Sequence, residues 1–358
     1  MGTTVAITGA GGRIARELIP RLVTSSRVDR VVGLDVVAPA GLPDSPKLQL
    51  TVTDVRDPGL ADLLAGCDVV VHLAFLMDQT VDRGEMRSIN VDGTRNVVQS
   101  ARQAGVGMVV YLSSAVAYGA HPDNDVPLDE DTPLRANVGF GYAEDKRDIE
   151  QWLASWVEEH PEVRMVILRP WVIAGWDVDN WFVRHLVEGV TLGIPRVFAV
   201  KGYRPPWQFS HVEDVASAIE HAIEHEQLAG PYNVACEGWL SYDEFLSITG
   251  KKPLQVPEGE AHMLAERLWR LDLVGGPPAS VSYLMHPVVL SVERLLATGW
   301  RPKHTNRDAL RELAASHAGW VHVKHGVRLR TRTLRLAAAG LLLLLLTVAG
   351  AAVRRARG

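Results

Sequence analysis

Through the first half of the chain, short β-branched runs alternate with segments whose apolar residues recur at helical spacing, the pattern of parallel βαβ units. Thr4–Thr8, Arg30–Leu34, Lys47–Val52, Val69–Leu73, Met108–Leu112 and Arg164–Leu168 read as strands. Gly12–Thr24, Leu60–Leu64, Glu85–Ala104 and Tyr142–Glu159 read as helices. Val69-Val70-Val71 and Met165–Leu168 are apolar without interruption, which suits strands covered on both faces. The expected class is therefore α/β, with a doubly wound parallel sheet.

After Pro170 the rhythm changes. Proline, glycine and tryptophan concentrate up to Trp207; a helix at Val212–Glu226 and a strand at Gly230–Ala235 follow, and helices predominate from Ser241 to Ala318. The expected division is a sheet domain at 1–170, to which 208–236 return, and a smaller, mostly helical substrate-binding region from 171–207 and 237–325. The last pattern is of another kind. Leu336–Val353 holds 18 residues without a charge, including leucines 341–346 in a row, enough for a helix to cross most of a bilayer core. A buried or dimer-forming helix is the alternative, but leucine around the whole circumference leaves no face for water. A transmembrane anchor at 334–353 is the expectation.

Composition changes this picture only at the edges. A chain of 358 residues has room for two domains, and 47% hydrophobic with 22% charged residues is ordinary globular composition. A net charge of -5 gives no general attraction to nucleic acid, so none is expected as partner. Cys67 and Cys236 are the two cysteines, and no basic segment followed by an apolar core opens the chain, which points away from secretion through a cleaved signal. Lys324, Arg328, Arg330, Arg332 and Arg335 precede the apolar stretch, whereas Arg354, Arg355 and Arg357 follow it. That excess predicts a membrane-anchored protein whose catalytic body stays in the cytoplasm. A homodimer is a further expectation.

The first strand runs into Thr8-Gly9-Ala10-Gly11-Gly12-Arg13-Ile14-Ala15. Gly9 permits a tight turn, Gly12 lets a pyrophosphate approach the backbone N–H groups of the helix start at Arg13 and Ile14, and Ala15 lets helix and strand pack closely. Asp35 ends the second strand. Its carboxylate can accept from ribose hydroxyls and would repel a 2′-phosphate, which favours NAD over NADP.

In these motifs the sequence resembles the extended short-chain dehydrogenase/reductase superfamily, the NAD-dependent epimerase/dehydratase group that also contains the 3β-hydroxysteroid dehydrogenases. The resemblance runs from about Val5 to about Ala235 and implies a Rossmann-type fold. Asp54-Val55-Arg56-Asp57 is similar to the segment whose first Asp holds the adenine amino group. His72-Leu73-Ala74 resembles the fourth-strand end beside the cofactor, and Asn90-Val91-Asp92-Gly93-Thr94 resembles the NVxGT helix.

Tyr142 and Lys146 stand at i and i+4 of a predicted helix, so both project from one face. A cation there would stabilise phenolate and lower a tyrosine pKa that is otherwise near 10. With Ser113-Ser114-Ala115-Val116-Ala117-Tyr118-Gly119 ending the fifth strand, the resemblance implies that Ser114 binds the reacting oxygen, Tyr142 is the acid/base, and Lys146 holds the nicotinamide ribose. Ser113 is a possible substitute for Ser114, and Tyr118 reads as a pocket wall. Asp145 departs from the small hydroxyl residue often found before the lysine. Leu168-Arg169-Pro170 and His211-Val212-Glu213-Asp214-Val215-Ala216 are similar to two further family motifs, and His211 and Asp214 read as structural. His221 and His225 have chelating spacing but no third ligand, so no metal is expected.

The substrate, a small molecule, is less legible. Trp171, Trp176, Trp181 and Trp207, with Phe182, Phe198 and Tyr203, could stack a uracil, line a sterol or isoprenoid pocket, or fill a core. Arg184, Arg196, Lys201 and Arg204 are the candidate cations for a diphosphate. The leading expectation is an NAD-dependent epimerase, dehydratase or dehydrogenase of a nucleotide sugar. The alternative is a dehydrogenase or reductase of a hydrophobic alcohol or ketone such as a sterol. Intact Ser114, Tyr142 and Lys146 argue against a third reading, a non-catalytic nucleotide-binding subunit.

Overall fold

The computed structural model describes residues 2–77, 82–188, 196–323, 327–331 and 333. Its centre is a parallel sheet of β1 (Thr3–Thr8), β2 (Val28–Asp35), β3 (Leu48–Val52), β4 (Val69–His72), β5 (Met108–Leu112) and β6 (Arg164–Pro170), completed by Gly230–Val234. Between β6 and that last strand come β7 (Val172–Ala174), β8 (Arg196–Val200) and β9 (Phe209–His211), so Gly230–Val234 is β10. The order across the sheet is β10-β6-β5-β4-β1-β2-β3. The chain winds outward from β1 to β3 and restarts at β4, so the carboxyl ends of β1 and β4 flank a topological switch point, where open α/β sheets bind ligands.

Helices α1 (Arg13–Thr24), α2 (Leu60–Leu63), α3 (Arg83–Arg87), α4 (Gly93–Gln103), α5 (Gly141–Glu159), α6 (Trp181–Val187) and α7 (Val212–Glu224) follow in chain order. The uninterrupted strands bury both faces. Val5, Ile7, Val69 and Val71 enter one core with Leu18 and Leu22 of α1 and Val215 and Ile219 of α7. Ala6, Val70 and Val109 enter the other with Val97 of α4 and Ile149 and Leu153 of α5.

The strands stand where the runs of β-branched residues place them, and the Rossmann-type parallel sheet is present. Between Glu85 and Ala104 a continuous helix was expected; the chain instead forms α3, a π turn at Ser88–Asp92, and α4. The side chain of Asn90 leaves this π turn for the backbone of Leu76, accepting from its N–H at 2.8 Å and donating to its carbonyl at 3.0 Å.

The described residues of 171–207 and 237–323 form a further part beyond the carboxyl ends of β5 and β6, where the Tyr283 hydroxyl donates to the Val116 carbonyl at 2.9 Å. Here β8 pairs in parallel with β11 (Lys252–Val256), and β7 with β9. Helices α8 (Tyr242–Thr249), α9 (Glu258–Arg270), α10 (Glu293–Leu296) and α11 (Asn306–Ser316) complete this part, with a 3-10 turn at Pro278–Leu284 and an antiparallel pair, β12 (Trp320–Val323) and β13 (Val327–Arg330). Val200, Ala261, Val281 and Met285 make a small core of its own. Among the described residues no helix is long and apolar enough to cross a membrane; the span expected at 334–353 lies outside them.

Candidate functional site

Gly9 turns with φ +72°, and a Cβ on it would lie 2.7 Å from the backbone nitrogen of Ala74. Only glycine lets β1 pass this close to Leu73 and Ala74 at the end of β4. Gly12 precedes α1 in extended conformation, with no side-chain cap and no acidic residue in the first turn. The N–H groups at the start of α1, at Arg13 and Ile14, therefore face outward with the helix dipole behind them. Arg13 reaches Glu17 and the Trp176 carbonyl (2.9 Å), but its Nε is buried without a partner. A glycine cradle, an uncapped helix start and an orphaned guanidinium N–H fit a pyrophosphate. The Asp35 carboxylate accepts from the Gly11 N–H at 2.8 Å and from Val37 at 3.3 Å, so the turn itself holds it at the rim of this cradle.

Two expected cofactor contacts look different in place. Both Asp54 oxygens are taken by Arg56, at 3.0 and 2.7 Å, and this hydrogen bonding holds the carboxyl below its usual range despite some burial. An adenine amino group would share it with Arg56, beside buried Val55. Asn90 spends its amide on Leu76 and on Asp145 (3.1 Å), so it shapes the loop after β4 through those bonds. His72 is locked in the same way, between Thr8 (2.6 Å) and Thr94 (2.9 Å).

Ser114 and Tyr142 meet where the end of β5 faces the start of α5. Burial pushes the Tyr142 phenol up to about 12, and a hydrogen bond with Ser114 works against that rise. Ser113 is no substitute, because its hydroxyl is given to Glu150. Glu150 in turn holds Arg169 through bonds of 2.6 and 2.9 Å, and Arg169 holds Tyr118 at 2.7 Å. Tyr118 is thus part of a buried polar network, bonded also to Asn233 at 2.8 Å.

Lys146 is buried, with Nζ 2.6 Å from the Leu112 carbonyl, 3.2 Å from the Tyr111 hydroxyl and 3.5 Å from the centre of the Phe75 ring. Its distance to the Tyr142 ring centre is 6.0 Å. The ammonium therefore leans on β5, and the lowered phenol pKa expected from the i, i+4 spacing is not found; burial wins at Tyr142. Burial also pushes the Lys146 ammonium well below its usual value, opposed by the charges of Glu150 and Asp145.

Asp145, odd in the sequence, is explained by partners far along the chain. It is fully buried and receives Arg83 at 2.8 and 2.7 Å, Arg87 at 3.0 Å and the Asn90 amide. A Cβ on Gly141 would meet Arg83 Nε at 2.7 Å, so the glycine before Tyr142 leaves room for this clamp.

The other singled-out residues hold the frame. His211 caps α7, stacks on His304 with ring centres 3.5 Å apart, and lies 3.0 Å from Glu312. Asp214 accepts from the backbone of Lys303 and His304 at 2.9 and 3.1 Å. His221 is bonded to Thr298 and His225 to the His221 carbonyl.

A sequence model of the NAD dependent epimerase/dehydratase family matches residues 5–235. A protein of Mycobacterium tuberculosis is 25% identical over 320 residues, 85% of this chain and 81% of that protein. A 4-hydroxy-2-methyl-3-oxo-4-farnesyl-3,4-dihydroquinoline-1-oxide ketoreductase of Stigmatella aurantiaca is 27% identical, covering 74% of this chain and 80% of its own. Among solved structures, MoeE5 in complex with UDP-glucuronic acid and NAD has a TM-score of 0.68 at 22% identity, over 87% of this chain and 98% of that one. The UDP-glucose 4-epimerase of Thermus thermophilus in complex with NAD gives 0.66 at 24%, over 88% and 99%. At these identities the likeness to the solved structures is one of fold.

Proposed function

The chain belongs to the NAD-dependent epimerase/dehydratase family and is an NAD-dependent enzyme of the oxidoreductase or epimerase type; from that premise we propose that it works at a carbon bearing a hydroxyl or ketone, with Ser114, Tyr142 and Lys146 as its reacting groups. The observation that carries this reading is the hydrogen bond that pairs buried Ser114 with the half-buried Tyr142 at the carboxyl ends of the sheet.

Gly9, Gly12, Arg13 and Ile14 would hold the pyrophosphate of NAD, Asp35 the adenosine ribose, and Asp54 with Val55 the adenine. Leu73 and Ala74 flank the nicotinamide half, and Lys146 serves its ribose. Bound NAD supplies a hydride acceptor or, reduced, a hydride donor. The protein's part is the proton. With its pKa near 12, Tyr142 is protonated at neutral pH and can donate to an oxygen gaining negative charge, while Ser114 orients that oxygen. In the oxidative direction the same phenol must first lose its proton, so this direction gains with rising pH.

Two substrate classes fit this chemistry. The nucleotide-sugar reading is favoured by fold neighbours that bind UDP-sugars. The hydrophobic alcohol or ketone reading is favoured by the ketoreductase relative, whose substrate carries a farnesyl group. The apolar stretch at 336–353 supports an anchor that keeps the enzyme body at a membrane, on its cytoplasmic side.

UDP-sugars and lipid extracts are to be tested for a change in bound NADH fluorescence, first on the wild type and then on Tyr142→Phe. Tyr142→Phe is expected to lose roughly 100-fold or more in turnover while NAD affinity stays unchanged, because the ring still fills its place. Substantial turnover by the variant would remove Tyr142 from the reaction.

A further inference from the structure

Between β7 and α6 the chain forms a short arch, Gly175–Asn180, beside the glycine cradle. Both feet are fixed. Ala174 pairs with His211 of β9, and the Asn180 side chain caps α6 by accepting from the N–H groups of Phe182 and Val183 at 3.0 and 3.1 Å. The middle is clasped at two carbonyls: that of Trp176 accepts from Arg13 at 2.9 Å, and that of Val178 lies 2.9 Å from Nε2 of His317.

The backbone turns sharply on both sides of Trp176. Gly175 has φ +130°, and a Cβ there would come within 3.0 Å of the His211 ring and 3.1 Å of Val212. Asp177 stands at φ 59°, one of two non-glycine residues with positive φ among the described residues. Backbone of this kind persists where surrounding contacts over-determine it, and it gathers at ligand clamps.

What the arch presents is an unengaged ring. The Trp176 indole is 59% exposed, and among the described residues no hydrogen bond or ring contact holds it. Any residue could supply the carbonyl that Arg13 grips, so neither packing nor backbone bonding accounts for a tryptophan here. Its neighbour does. Arg13 opens α1 at the cradle, and its Nε is buried without a partner. A group bound by that Nε lies beside the residue whose carbonyl Arg13 already holds. An indole offers an anionic oxygen one N–H donor and a sugar ring a broad face, with few rotatable bonds to freeze.

We propose that Trp176 is a binding residue for NAD: its indole closes over the pyrophosphate and the ribose beyond it, and the arch straps the cofactor into the cradle. The proposal rests on the placement of the pyrophosphate at Gly12, Arg13 and Ile14. The adenosine half is left to Asp35 and Asp54, so the strap acts on one half of the cofactor only. It also joins the two parts of the molecule through one ligand, because the cradle belongs to β1 and α1 while the arch follows β6.

Calorimetric titration of the full-length protein with NAD, ADP-ribose and AMP tests this. Trp176→Ala is expected to weaken NAD and ADP-ribose about tenfold and to leave AMP unchanged, which also shows that the variant is folded. Trp176→Phe, with a ring but no N–H, should fall between. Quenching of tryptophan emission by NAD should be strong in the wild type and largely lost in Trp176→Phe. AMP weakened as much as NAD, or quenching that survives in Trp176→Phe, would overturn the proposal. Arg13→Gln keeps the two assignments apart. Unchanged NAD affinity in that variant would remove the pyrophosphate from the cradle and the strap with it, whereas unchanged affinity in Trp176→Ala alone would remove only the strap.

Discussion

At the scale of single residues, the departure at Asp145 carries the most information. A fully buried carboxylate beside a buried lysine would be costly by itself, but Arg83, Arg87 and Asn90 satisfy it, and both arginines keep part of their surface in water, 42% and 44% exposed. Asp145 thus ties α3 and the π turn to the helix that carries Tyr142 and Lys146. Its charge also opposes the burial that drives Lys146 toward neutrality, together with Glu150, while His72, Tyr111 and Tyr142 are the other titratable groups around that lysine. Asp145→Asn keeps the shape and removes the charge. Roughly 2–4 kcal/mol of stability should be lost in urea unfolding, and NAD affinity should begin to fall at a lower pH on the alkaline side, because Lys146 gives up its proton sooner. An unshifted affinity profile would break the link to Lys146 while leaving the structural clamp. None of this could be read locally, since Arg83 and Arg87 lie 62 and 58 residues before Asp145, and i, i+4 spacing reports nothing about such partners.

Elements were more legible than their joints. The strands are uninterrupted apolar runs, and Met108–Leu112 stands within the same limits in pattern and structure because burial on both faces leaves no other reading. The glycine turn was legible for a similar reason: Gly9 and Gly12 answer local backbone demands. The π turn in the predicted helix at Glu85–Ala104 was not, because it follows from the Asn90–Leu76 contact across 14 residues. One joint makes a pH prediction. Thr8 of β1 accepts from the Ala74 N–H at 3.3 Å and so offers its own proton to His72 Nδ1; Nε2 then donates to Thr94, which donates to the Asn90 carbonyl. This chain needs neutral His72, and burial, aided by Lys146, pushes its pKa from 6.5 down to about 3. The folded pKa lies below the unfolded one, so the stabilisation is whole above pH 6.5 and drains away as pH falls toward 3, at roughly 1.4 kcal/mol per pH unit. His72→Gln should be less stable than wild type at pH 7.5 and lose less stability between pH 6.5 and 4. Parallel unfolding curves across that range would show that His72 does not set the acid limit.

For the whole molecule, the sheet domain and the lobe above it divide the work: the switch point between β1 and β4 holds the fixed chemistry, and the later segments choose what reaches it. Composition did not reveal that choice, since the same aromatic residues serve different ends. Trp207 stacks on Phe245 at 4.8 Å within the core, whereas Trp181 lines a cleft between α6 and α9. A membrane anchor would complete this division by keeping the enzyme body where hydrophobic substrates are found. The chain can be cut to test it. The pairing of β12 with β13 runs to Arg330, and the Thr331 N–H still closes on the Gly319 carbonyl at 2.9 Å. An end after Thr331 therefore keeps every described strand, and every proposed cofactor contact and reacting group lies far upstream. This truncated protein should appear in the soluble fraction without detergent and bind NAD like the full chain, whereas the full chain should sediment with membranes and resist extraction by high salt. Reduction of a ketone supplied in bilayers should fall on truncation, and reduction of the same ketone dispersed in cyclodextrin should not. A full-length protein that stays soluble and unaggregated without detergent would remove the anchor, and the membrane would then have no part in delivering the substrate.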